Sequence, residues 1–509
     1  MAARGLPDWL DPLYGAEQMR AMDRWAIEEC GIPGLDLMER AGSGLAVLAD
    51  QVAPRGPVAI VCGKGNNGGD GFVAGRLLRA MGRKVRVLLL AEPEEYTGDA
   101  AENLRRLVGR HEPFVPDALG DAAVIVDAIF GTGFAGEPRD LAKDAIDAIA
   151  VLDVLVVAAD IASGVDASTG EAARVSVWAN ATATFGAAKP GHWISPGKQH
   201  TGDLHVVDIG IPAGAPVTAN VGLVTARVHE LVPHRDAPGT KFTSGHVAVA
   251  GGSRGLTGAP CLAADAAMRT GAGYVTAIVP ESLEPIFETR LLEVMTRGVA
   301  DAAGGLQPSG AEAALEVAER AGALVLGPGA GRAEQTFEFV RDVAARAPVA
   351  LLLDADGLNA HAGALARLAE RRHPTILTPH AGELARLLDT TSEEVNARRL
   401  HSARTAAREA QAIVVLKGDD TIVACPDGTV AVNDLSAPAL ATAGTGDVLS
   451  GVIGALLAKR LDPFAAACAG VRRHAAAGRV AAEEIGADGV IASDVIAALP
   501  RVLHGEAAG

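Results

Sequence analysis

The run AGTGD at residues 443–447 is the segment of this chain whose residue types and spacing point most directly to chemistry. Gly444 and Gly446 leave backbone N–H groups bare at the positive end of the helix that follows, which makes an anion hole for a phosphoryl group in transfer. Asp447, at the helix start, is placed to take a hydroxyl proton as that oxygen attacks phosphorus. An aspartate that only caps the helix is the alternative interpretation.

A second glycine-rich run, GKGNNGGDG at residues 63–71, indicates an anion or nucleotide site. Its glycines keep side chains away, so that backbone N–H groups and the N-terminus of the helix predicted over residues 72–81 can face an anion. Three of them match the G-x-G-x-x-G dinucleotide spacing, although any tight strand-to-helix turn favours glycine. The paired asparagines and the terminal Asp70 are polar groups that a purely structural turn does not require.

Carboxylates and a hydroxyl follow two further predicted strands of the first half. Asp127 precedes another glycine-bearing loop, and Asp160 and Ser163 follow the next strand. The carboxyl ends of parallel strands gather at one edge of a sheet, where ligands bind in such folds. An amide, a carboxylate and a serine oxygen from three loops would form an oxygen-rich cage that suits an alkali or alkaline-earth cation. The alternative is that Asp127 and Ser163 cap helices.

The second half also collects small and polar residues at strand ends. Small residues at 251–259 and 327–331 let a ligand approach the backbone, although packing would select them equally well. His380 and Glu383 lie on one face if a helix begins there, with capping by Glu383 as the alternative. The turn at residues 417–421 carries a lysine, a glycine and a threonine that can hold nucleotide phosphate and ribose, but an exposed hairpin lysine would look the same.

From Pro57 onward the chain repeats a short apolar run, a Gly-rich or acidic turn and an Ala/Leu-rich amphipathic stretch, which predicts an α/β fold with parallel strands. A stretch rich in Pro, Gly and Ala at residues 210–238 places a domain boundary near residue 225. The predicted strands are residues 58–62, 85–90, 123–127, 154–158, 181–185, 204–208, 246–250, 274–279, 323–326, 349–354, 375–377 and 413–416, with a hairpin at 421–424 and 429–432. Further helices are predicted at residues 16–30, 35–50, 447–459 and 464–484.

Composition limits the classes of function. The chain has 509 residues, and 45 Lys and Arg against 62 Asp and Glu give a net charge of −17, which disfavours binding to nucleic acid or acidic membranes. Five cysteines without a C-x-x-C pair argue against a disulfide framework or a zinc ribbon. Without a long apolar run or a signal-peptide pattern at residues 1–16, the sequence predicts a cytoplasmic protein.

The motifs of the first half resemble the N-terminal epimerase domain of NAD(P)H-hydrate repair enzymes over residues 14–220. The resemblance implies a Rossmann-like three-layer domain, a potassium ion held by Asn67, Asp127 and Ser163, and Asp160 as the catalytic carboxylate facing the substrate. Ala162 stands where the family usually has proline, which should loosen the turn without removing an oxygen ligand. The residues that the resemblance assigns to the damaged dinucleotide are Asn66, Asn67, Gly68, Gly69, Asp70, Gly131, Thr132, Gly133, Phe134, Ala135, Gly136, Glu137 and Asp160.

The ordered motifs of the second half resemble the ribokinase-like fold and, within it, the ADP-dependent NAD(P)H-hydrate dehydratases, over residues 226–505. His380 and Glu383 stand where sugar kinases usually carry an N-x-x-E pair, and Ala381 replaces the proline of the dehydratase H-P-G-E motif. The resemblance implies ADP with Mg²⁺, and Asp447 as the catalytic base. It assigns Ala259, Gly329, His380 and Asp447 to the hydrated dinucleotide, and Lys417, Gly418, Asp419, Asp420, Thr421 and Gly446 to the adenine nucleotide.

The two halves fit one pathway. An epimerase domain at residues 1–225 would interconvert R and S hydrates, and a dehydratase domain at residues 226–509 would convert the S form with ADP into NAD(P)H, AMP and phosphate. One alternative is a small-molecule kinase of the hydroxymethylpyrimidine or hydroxyethylthiazole type; another makes the first domain a non-enzymatic nucleotide-binding scaffold. The expected partners are these small molecules and further copies of the chain in a homo-oligomer, without nucleic acid or membrane.

Overall fold

A computed structural model describes residues 5–107, 109–235 and 239–502. The chain forms two compact units: the first contains Pro12–Val221, and the second contains Pro7–Asp11 and the residues from Gly222 onward. None of the helices in the described residues combines the length and the apolar character that a membrane span requires.

The first strand of the chain, β1 (Leu10–Leu13), lies at the edge of the larger sheet described below. The other strands up to residue 207 are β2 (Val58–Cys62), β3 (Val85–Leu89), β4 (His111–Pro113), β5 (Val124–Ala128), β6 (Leu155–Ala159), β7 (Ala181–Phe185) and β8 (Asp203–Val207). The helices are α1 (Ala16–Glu28), α2 (Gly34–Val52), α3 (Asn66–Ala80), α4 (Gly98–Arg106), α5 (Asp140–Ala150) and α6 (Gly197–Thr201), with 3-10 turns at Pro93–Glu95, Pro116–Leu119 and Pro190–His192.

The sheet of the first unit is parallel, in the order β4-β3-β2-β5-β6-β7-β8. Alternate residues of β2 point to opposite faces, so that Ile60 packs in a cluster with Phe72 of α3 and Val61 packs in a second cluster with Ile146 of α5. Both faces are therefore covered by helices, as buried parallel strands require. This three-layer α/β arrangement confirms the predicted fold class.

The second unit has one large sheet in the order β1-β9-β20-β19-β18-β17-β16-β15-β10-β11-β12. Its later strands are β9 (Val221–Val224), β10 (His246–Ala250), β11 (Tyr274–Pro280), β12 (Met295–Val299), β13 (Asp301–Ala302), β14 (Gly305–Leu306), β15 (Ala323–Leu326), β16 (Ala350–Leu353), β17 (Thr375–Leu377), β18 (Ile413–Leu416), β19 (Ile422–Ala424) and β20 (Val430–Asn433), with β13 and β14 forming a separate hairpin. Within the large sheet, the neighbouring strands in the spatial order β18-β17-β16-β15-β10-β11-β12 pair parallel. Strand β19 pairs antiparallel with both β18 and β20.

The helices of the second unit pack on this sheet. They are α7 (Gly258–Arg269), α8 (Glu284–Arg290), α9 (Ala311–Ala318), α10 (Glu334–Arg346), α11 (Asp356–Asn359), α12 (Ala381–Leu388), α13 (Ser392–Ala397), α14 (Arg399–Ala410), α15 (Thr445–Ala458), α16 (Pro463–Ile485) and α17 (Ala492–Ala498), with 3-10 turns at Ala226–Leu231, Glu281–Leu283, Pro308–Gly310, Leu365–Glu370, Pro438–Leu440, Ala487–Gly489 and Leu499–Val502. Helix α15 is apolar on all sides after its polar first turns and is buried against α7, α16 and the sheet, which fixes the position of its N-terminus.

The helix predicted from residue 72 begins earlier, at Asn66, with extended Gly65 as its N-cap. The segment expected to be a nucleotide-binding loop is thus the first turn of α3. Glycine is required there by close approach, because a Cβ on Gly68 would lie 1.8 Å from the Gly63 carbonyl oxygen. The glycines therefore allow the first turn of α3 to pack tightly against the turn before it. The prediction of a loop over residues 66–71 was wrong.

Candidate functional site

A cavity of about 860 Å³ lies beside the residues that follow β2, β5 and β6 in the first unit. The predicted dinucleotide-binding residues that line it are Asn66, Asn67, Asp70, Gly131, Thr132, Gly133, Phe134, Ala135, Glu137 and Asp160. Gly68, Gly69 and Gly136 are not among the lining residues. The first two face the interior, where a Cβ would meet Gly63 and Met38.

Asp160 is held at the cavity wall by contacts to both carboxylate oxygens. Its backbone has a φ of 66°, in the left-handed region that a non-glycine residue enters at a cost. Oδ1 accepts a hydrogen bond from Lys189 Nζ at 2.5 Å, and Oδ2 accepts one from the Thr132 backbone N–H at 3.1 Å. The carboxylate is 90% buried yet remains part of the cavity lining.

Seven carboxyl groups line this cavity, and only Asp160 has a basic partner within salt-bridge distance among the described residues. Burial alone would raise the pKa of Asp160, but the charge and hydrogen bond of Lys189 bring it below its usual value. Burial, reinforced by Asp160, raises the pKa of Asp23 to about 6 and that of Asp70 well above its usual range. Within the cavity lining, the carboxylate of Asp160 is therefore near two carboxyl groups, Asp23 and Asp70, that hold protons more tightly than usual.

The residues predicted to hold a potassium ion are brought together in part. Ser163 Oγ donates to Asp127 Oδ1 at 2.6 Å, and the Ser163 backbone N–H donates to Asp127 Oδ2 at 2.8 Å. Asp127 is fully buried, and burial raises its pKa to about 6 because no described cationic side chain compensates its charge. The Nδ2 atom of buried Asn67 has no hydrogen-bond partner. The buried carboxylate, the Ser163 hydroxyl and the side-chain oxygen of Asn67 are oxygen donors of the kind that a monovalent cation takes, whereas the Asn67 Nδ2 group can only donate a hydrogen bond.

In the second unit the helix α15 begins at the AGTGD run. Gly444 is the N-cap, with a φ of 88° that favours glycine, and Asp447 lies in the first turn. Burial, followed by the neighbouring Asp354, raises the pKa of Asp447 to about 7, although Lys417 acts in the opposite direction. A carboxyl group whose pKa lies near neutrality is suited to general-base catalysis. Capping does not account for Asp447, because the N-cap position belongs to Gly444.

Lys417 lies beside the start of α15. Its Nζ is 3.4 Å from the position that a Cβ on Gly446 would occupy, 3.0 Å from Asp354 Oδ1 and 3.7 Å from Glu383 Oε2. Burial alone would lower the pKa of Lys417, but these carboxylates raise it, so the side chain is an ammonium. An exposed hairpin lysine is thereby excluded. The Lys417 charge lies at the anion hole, where a phosphoryl group would sit.

His380 and Glu383 form a capping box at the start of α12, as the alternative interpretation expected. His380 Nδ1 accepts from the Gly382 N–H at 3.0 Å, and Glu383 Oε2 accepts from the His380 N–H at 2.9 Å. Glu383 Oε2 also faces Lys417 Nζ, so that the cap and the ion pair coexist. His380 Nδ1 is occupied by the cap, and Nε2 lies 3.6 Å from Glu383 Oε1.

The remaining predicted residues of the second unit divide into two groups. Ala259 and Gly329 lie together, since a Cβ on Gly329, whose φ is 58°, would be 3.1 Å from the Ala259 Cβ. In the 417–421 turn, Asp420 is buried in an ion pair with Arg399, Asp419 accepts from Ser436, and Thr421 Oγ1 donates to the Gly418 carbonyl at 2.7 Å. The three side chains are thus engaged within the protein.

Comparison with known proteins identifies both halves. A family model described as "NAD(P)H-hydrate dehydratase" matches residues 247–501, and one described as "YjeF-related protein N-terminus" matches residues 34–191. A relative named "Bifunctional NAD(P)H-hydrate repair enzyme Nnr" from Moorella thermoacetica is 40% identical over 97% of this chain and 96% of its own. The chain belongs to the bifunctional NAD(P)H-hydrate repair enzymes.

A further relative carries the same name. The Escherichia coli protein of the same name is 34% identical over 97% of this chain and 94% of its own. The solved structure of an ADP/ATP-dependent NAD(P)H-hydrate dehydratase from Bacillus subtilis, co-crystallised with ATP and Mg²⁺, is 32% identical, covers 56% of this chain and 98% of its own, and has a TM-score of 0.48. The prediction of a bifunctional repair enzyme is confirmed, and the small-molecule kinase is less supported.

Two departures from the motifs of NAD(P)H-hydrate repair enzymes leave the local geometry in place. Ala162 is buried, accepts from the Val165 N–H at 3.1 Å and precedes a Ser163 that remains bonded to Asp127. Ala381 is the first residue of α12 and follows a complete His380 cap. The Ser163 oxygen therefore stays in place, and the expected loosening of the Ala162 turn remains a prediction.

Sequence analysis of this NAD(P)H-hydrate repair enzyme missed several polar residues of the sites. In the first unit these are Asp23 on α1 and Lys189 after β7. In the second, Ser450 Oγ donates to Asp354 Oδ2 at 2.6 Å and so holds the carboxylate that pairs with Lys417. Lys189 lies near the carboxyl end of a strand, as Asp127 and Asp160 do, which is the signal that could have found it.

Proposed function

We propose that the domain at residues 1–225 interconverts the R and S forms of NAD(P)H hydrate, and that the domain at residues 226–509 dehydrates the S form with ADP. The observation that carries the first part is the ionised carboxylate of Asp160 at the wall of a cavity of about 860 Å³. The observation that carries the second is Asp447, with a pKa of about 7, beside the Lys417 ammonium at the start of α15.

In the epimerase reaction the C6–O bond breaks, and the oxygen leaves as water while the ring nitrogen lone pair forms an iminium-like cation. Asp70, whose pKa burial raises well above its usual range, can supply the proton that the departing oxygen needs. Asp160 Oδ2 faces the cation and stabilises it. Water then adds to C6 from the opposite face, and the proton that it loses replaces the one consumed.

A potassium ion would be held by Asn67, Asp127 and Ser163. The support is the buried Asp127 carboxylate, for which no described residue supplies a cationic partner, beside the Ser163 hydroxyl. When bound, the ion would compensate the charge of Asp127 and order the loops after β2, β5 and β6 around the substrate. Asn66, Gly131, Thr132, Phe134 and Glu137 would then contact the dinucleotide along the cavity.

In the dehydratase reaction Asp447 removes the proton of the C6 hydroxyl, and that oxygen attacks the terminal phosphorus of ADP, releasing AMP. The N–H groups at Gly444 and Gly446, together with Lys417, bear the charge of the phosphoryl group in transfer. The C6–O bond then breaks with loss of phosphate as the ring nitrogen lone pair forms an iminium-like cation, and release of the C5 proton to solvent gives the C5–C6 double bond. Phosphate is a far better leaving group than hydroxide, which explains a dehydration at a phosphoryl-transfer site.

Mg²⁺ would reach this site with the nucleotide. In the part of the chain that the structure describes, no group of three His, Cys, Asp or Glu side chains is placed to hold a metal by itself. Mg²⁺ is usually held by substrate phosphates and only one or two carboxylates, and it would neutralise phosphate charge. Ala259, Gly329 and His380 would contact the dinucleotide, with the 417–421 turn on the adenine nucleotide.

The test is recovery of reduced nicotinamide absorbance from a mixed R and S hydrate, with ADP or ATP, Mg²⁺ and K⁺. Full recovery supports both activities, whereas recovery that stops at the S fraction contradicts the epimerase. A stable phosphorylated product would instead favour the kinase. A cytoplasmic location and a homo-oligomer remain predictions, which cell fractionation and light scattering of the purified chain would test.

A further inference from the structure

Lys189 is a buried ammonium whose hydrogen bonds are all used within the protein. The side chain is 1% exposed and donates to Asp160 Oδ1 at 2.5 Å, Thr184 Oγ1 at 2.7 Å and the Phe185 carbonyl at 2.9 Å. An ammonium has three donors, so none is left for a ligand. Burial of such a charge is costly unless it is paired, and its only carboxylate partner among the described residues is Asp160.

The backbone of Asp160 is held by the same segment of chain. His192 Nδ1 accepts from the Lys189 N–H at 3.1 Å, so Nε2 carries the ring hydrogen and donates to the Asp160 carbonyl oxygen at 2.9 Å. Burial, followed by the Lys189 charge, lowers the pKa of His192 to about 4, and the ring is therefore neutral. Lys189 therefore holds the side-chain carboxylate of Asp160, and His192, three residues later in the chain, holds its backbone carbonyl.

We infer that Lys189 is the positioning residue of the epimerase, which holds Oδ1 of Asp160 and so leaves Oδ2 as the charged oxygen presented to the substrate. The inference rests on the proposed role of Asp160. The other carboxylate oxygen, Oδ2, is on the cavity side. It accepts a hydrogen bond from the Thr132 N–H and lies 3.3 Å from the position that a Cβ on Gly131 would occupy. Both residues line the cavity.

The charged groups around Asp160 explain why a lysine is needed. Asp70 on α3 and Asp23 on α1 line the same cavity, and the Asp160 charge raises the pKa of both, while His192 is neutral. Lys189 is the only cation in direct contact with Asp160 within the described residues, and it opposes the effect of burial on the pKa of Asp160. Without it, burial would favour the protonated form of Asp160, and the iminium-like cation would lose its counter-charge.

The test is the pH dependence of epimerase kcat and KM for Lys189→Met, which keeps the length of the side chain and removes its charge. We expect kcat to fall by about 10²-fold at neutral pH, with KM unchanged, and the rising limb of the profile to move up by about 1–3 pH units. Lys143→Met, at an exposed lysine on α5, is the matched control. Dehydratase turnover of the S hydrate by the same preparations measures the concentration of active chain.

An unchanged kcat and pH profile in Lys189→Met would overturn the inference, as would a fall in kcat with no shift of the profile. If Lys189→Met shows no melting transition for the first unit, the double variant Asp160→Asn/Lys189→Met decides. If the melting transition of the first unit returns in the double variant, the buried charges of Lys189 and Asp160 compensate each other, as the inference requires. If the transition is still absent, the inference is contradicted. Asp160→Asn is assayed in parallel, because full epimerase activity in that variant would contradict the proposed function itself.

Discussion

Replacement of Asp447 by asparagine should lower dehydratase activity and raise the stability of the second unit. The side chain is largely buried at the start of α15, where its carboxylate lies near Asp354 and Glu383. Asparagine keeps the shape and polarity of the side chain but cannot accept the hydroxyl proton or carry the charge. Loss of a general base costs about 10²–10⁴-fold in kcat, so that the variant should be nearly inactive with saturating ADP.

The expected gain in stability follows from the pKa of Asp447, which is about 7 against a usual value of 3.8. The difference of about 3 pH units corresponds to about 4 kcal/mol at about 1.4 kcal/mol per unit. Because the pKa is raised in the folded chain, the ionised side chain destabilises folding. The penalty begins above the unfolded value, grows as pH rises and is complete above about pH 7. Asp447→Asn should therefore raise the free energy of unfolding by up to this amount at pH 8 and by little at pH 4.

The assays are reduced nicotinamide recovery from S hydrate and calorimetric melting of the full chain at several pH values. In the unaltered chain, kcat/KM should rise about tenfold between pH 6 and pH 8 as Asp447 ionises. Asp342→Asn, at an exposed carboxylate of α10, makes the same chemical change outside the site and should alter neither property. Retention of most activity by Asp447→Asn, or a melting temperature lowered at pH 8, would refute the assignment of Asp447 as a buried base.

Three further substitutions should each affect the reaction of one unit and leave that of the other unchanged. Asp160→Asn should abolish recovery of the R hydrate and leave the S hydrate reaction intact; equal loss of both reactions would contradict separate sites. Asp127→Asn should raise the K⁺ concentration needed for half-maximal epimerase activity, because it removes the buried charge of the proposed ion site, and an unchanged K⁺ titration would remove that assignment. Gly444→Ala, at a φ of 88° and with Leu262 Cδ1 2.7 Å from the new Cβ, should destabilise the second unit by about 1 kcal/mol or more and slow the dehydratase, while epimerase turnover stays constant as the control.

The sequence by itself determined the order of the elements and the motifs at their ends. Short apolar runs separated by amphipathic stretches can pack only as buried parallel strands with covering helices, so the strands at residues 58–62, 181–185 and 246–250 were predicted as they occur. The motifs around Asp160 and Asp447 were equally visible, because strand ends and helix starts are local features. Edge strands such as β4 and β12 were missed, since they are short and partly exposed.

Only the tertiary structure decided which charges meet. Lys189 lies 29 residues from Asp160 and Lys417 lies 63 residues from Asp354 in the chain, and no periodicity connects either pair. The start of α3 at Asn66 likewise depends on the close approach of Gly68 to Gly63. A pKa depends on burial and on neighbouring charges, both of which are properties of the folded chain. The sequence therefore identified the candidate carboxylates, whereas folding determined which of them is ionised.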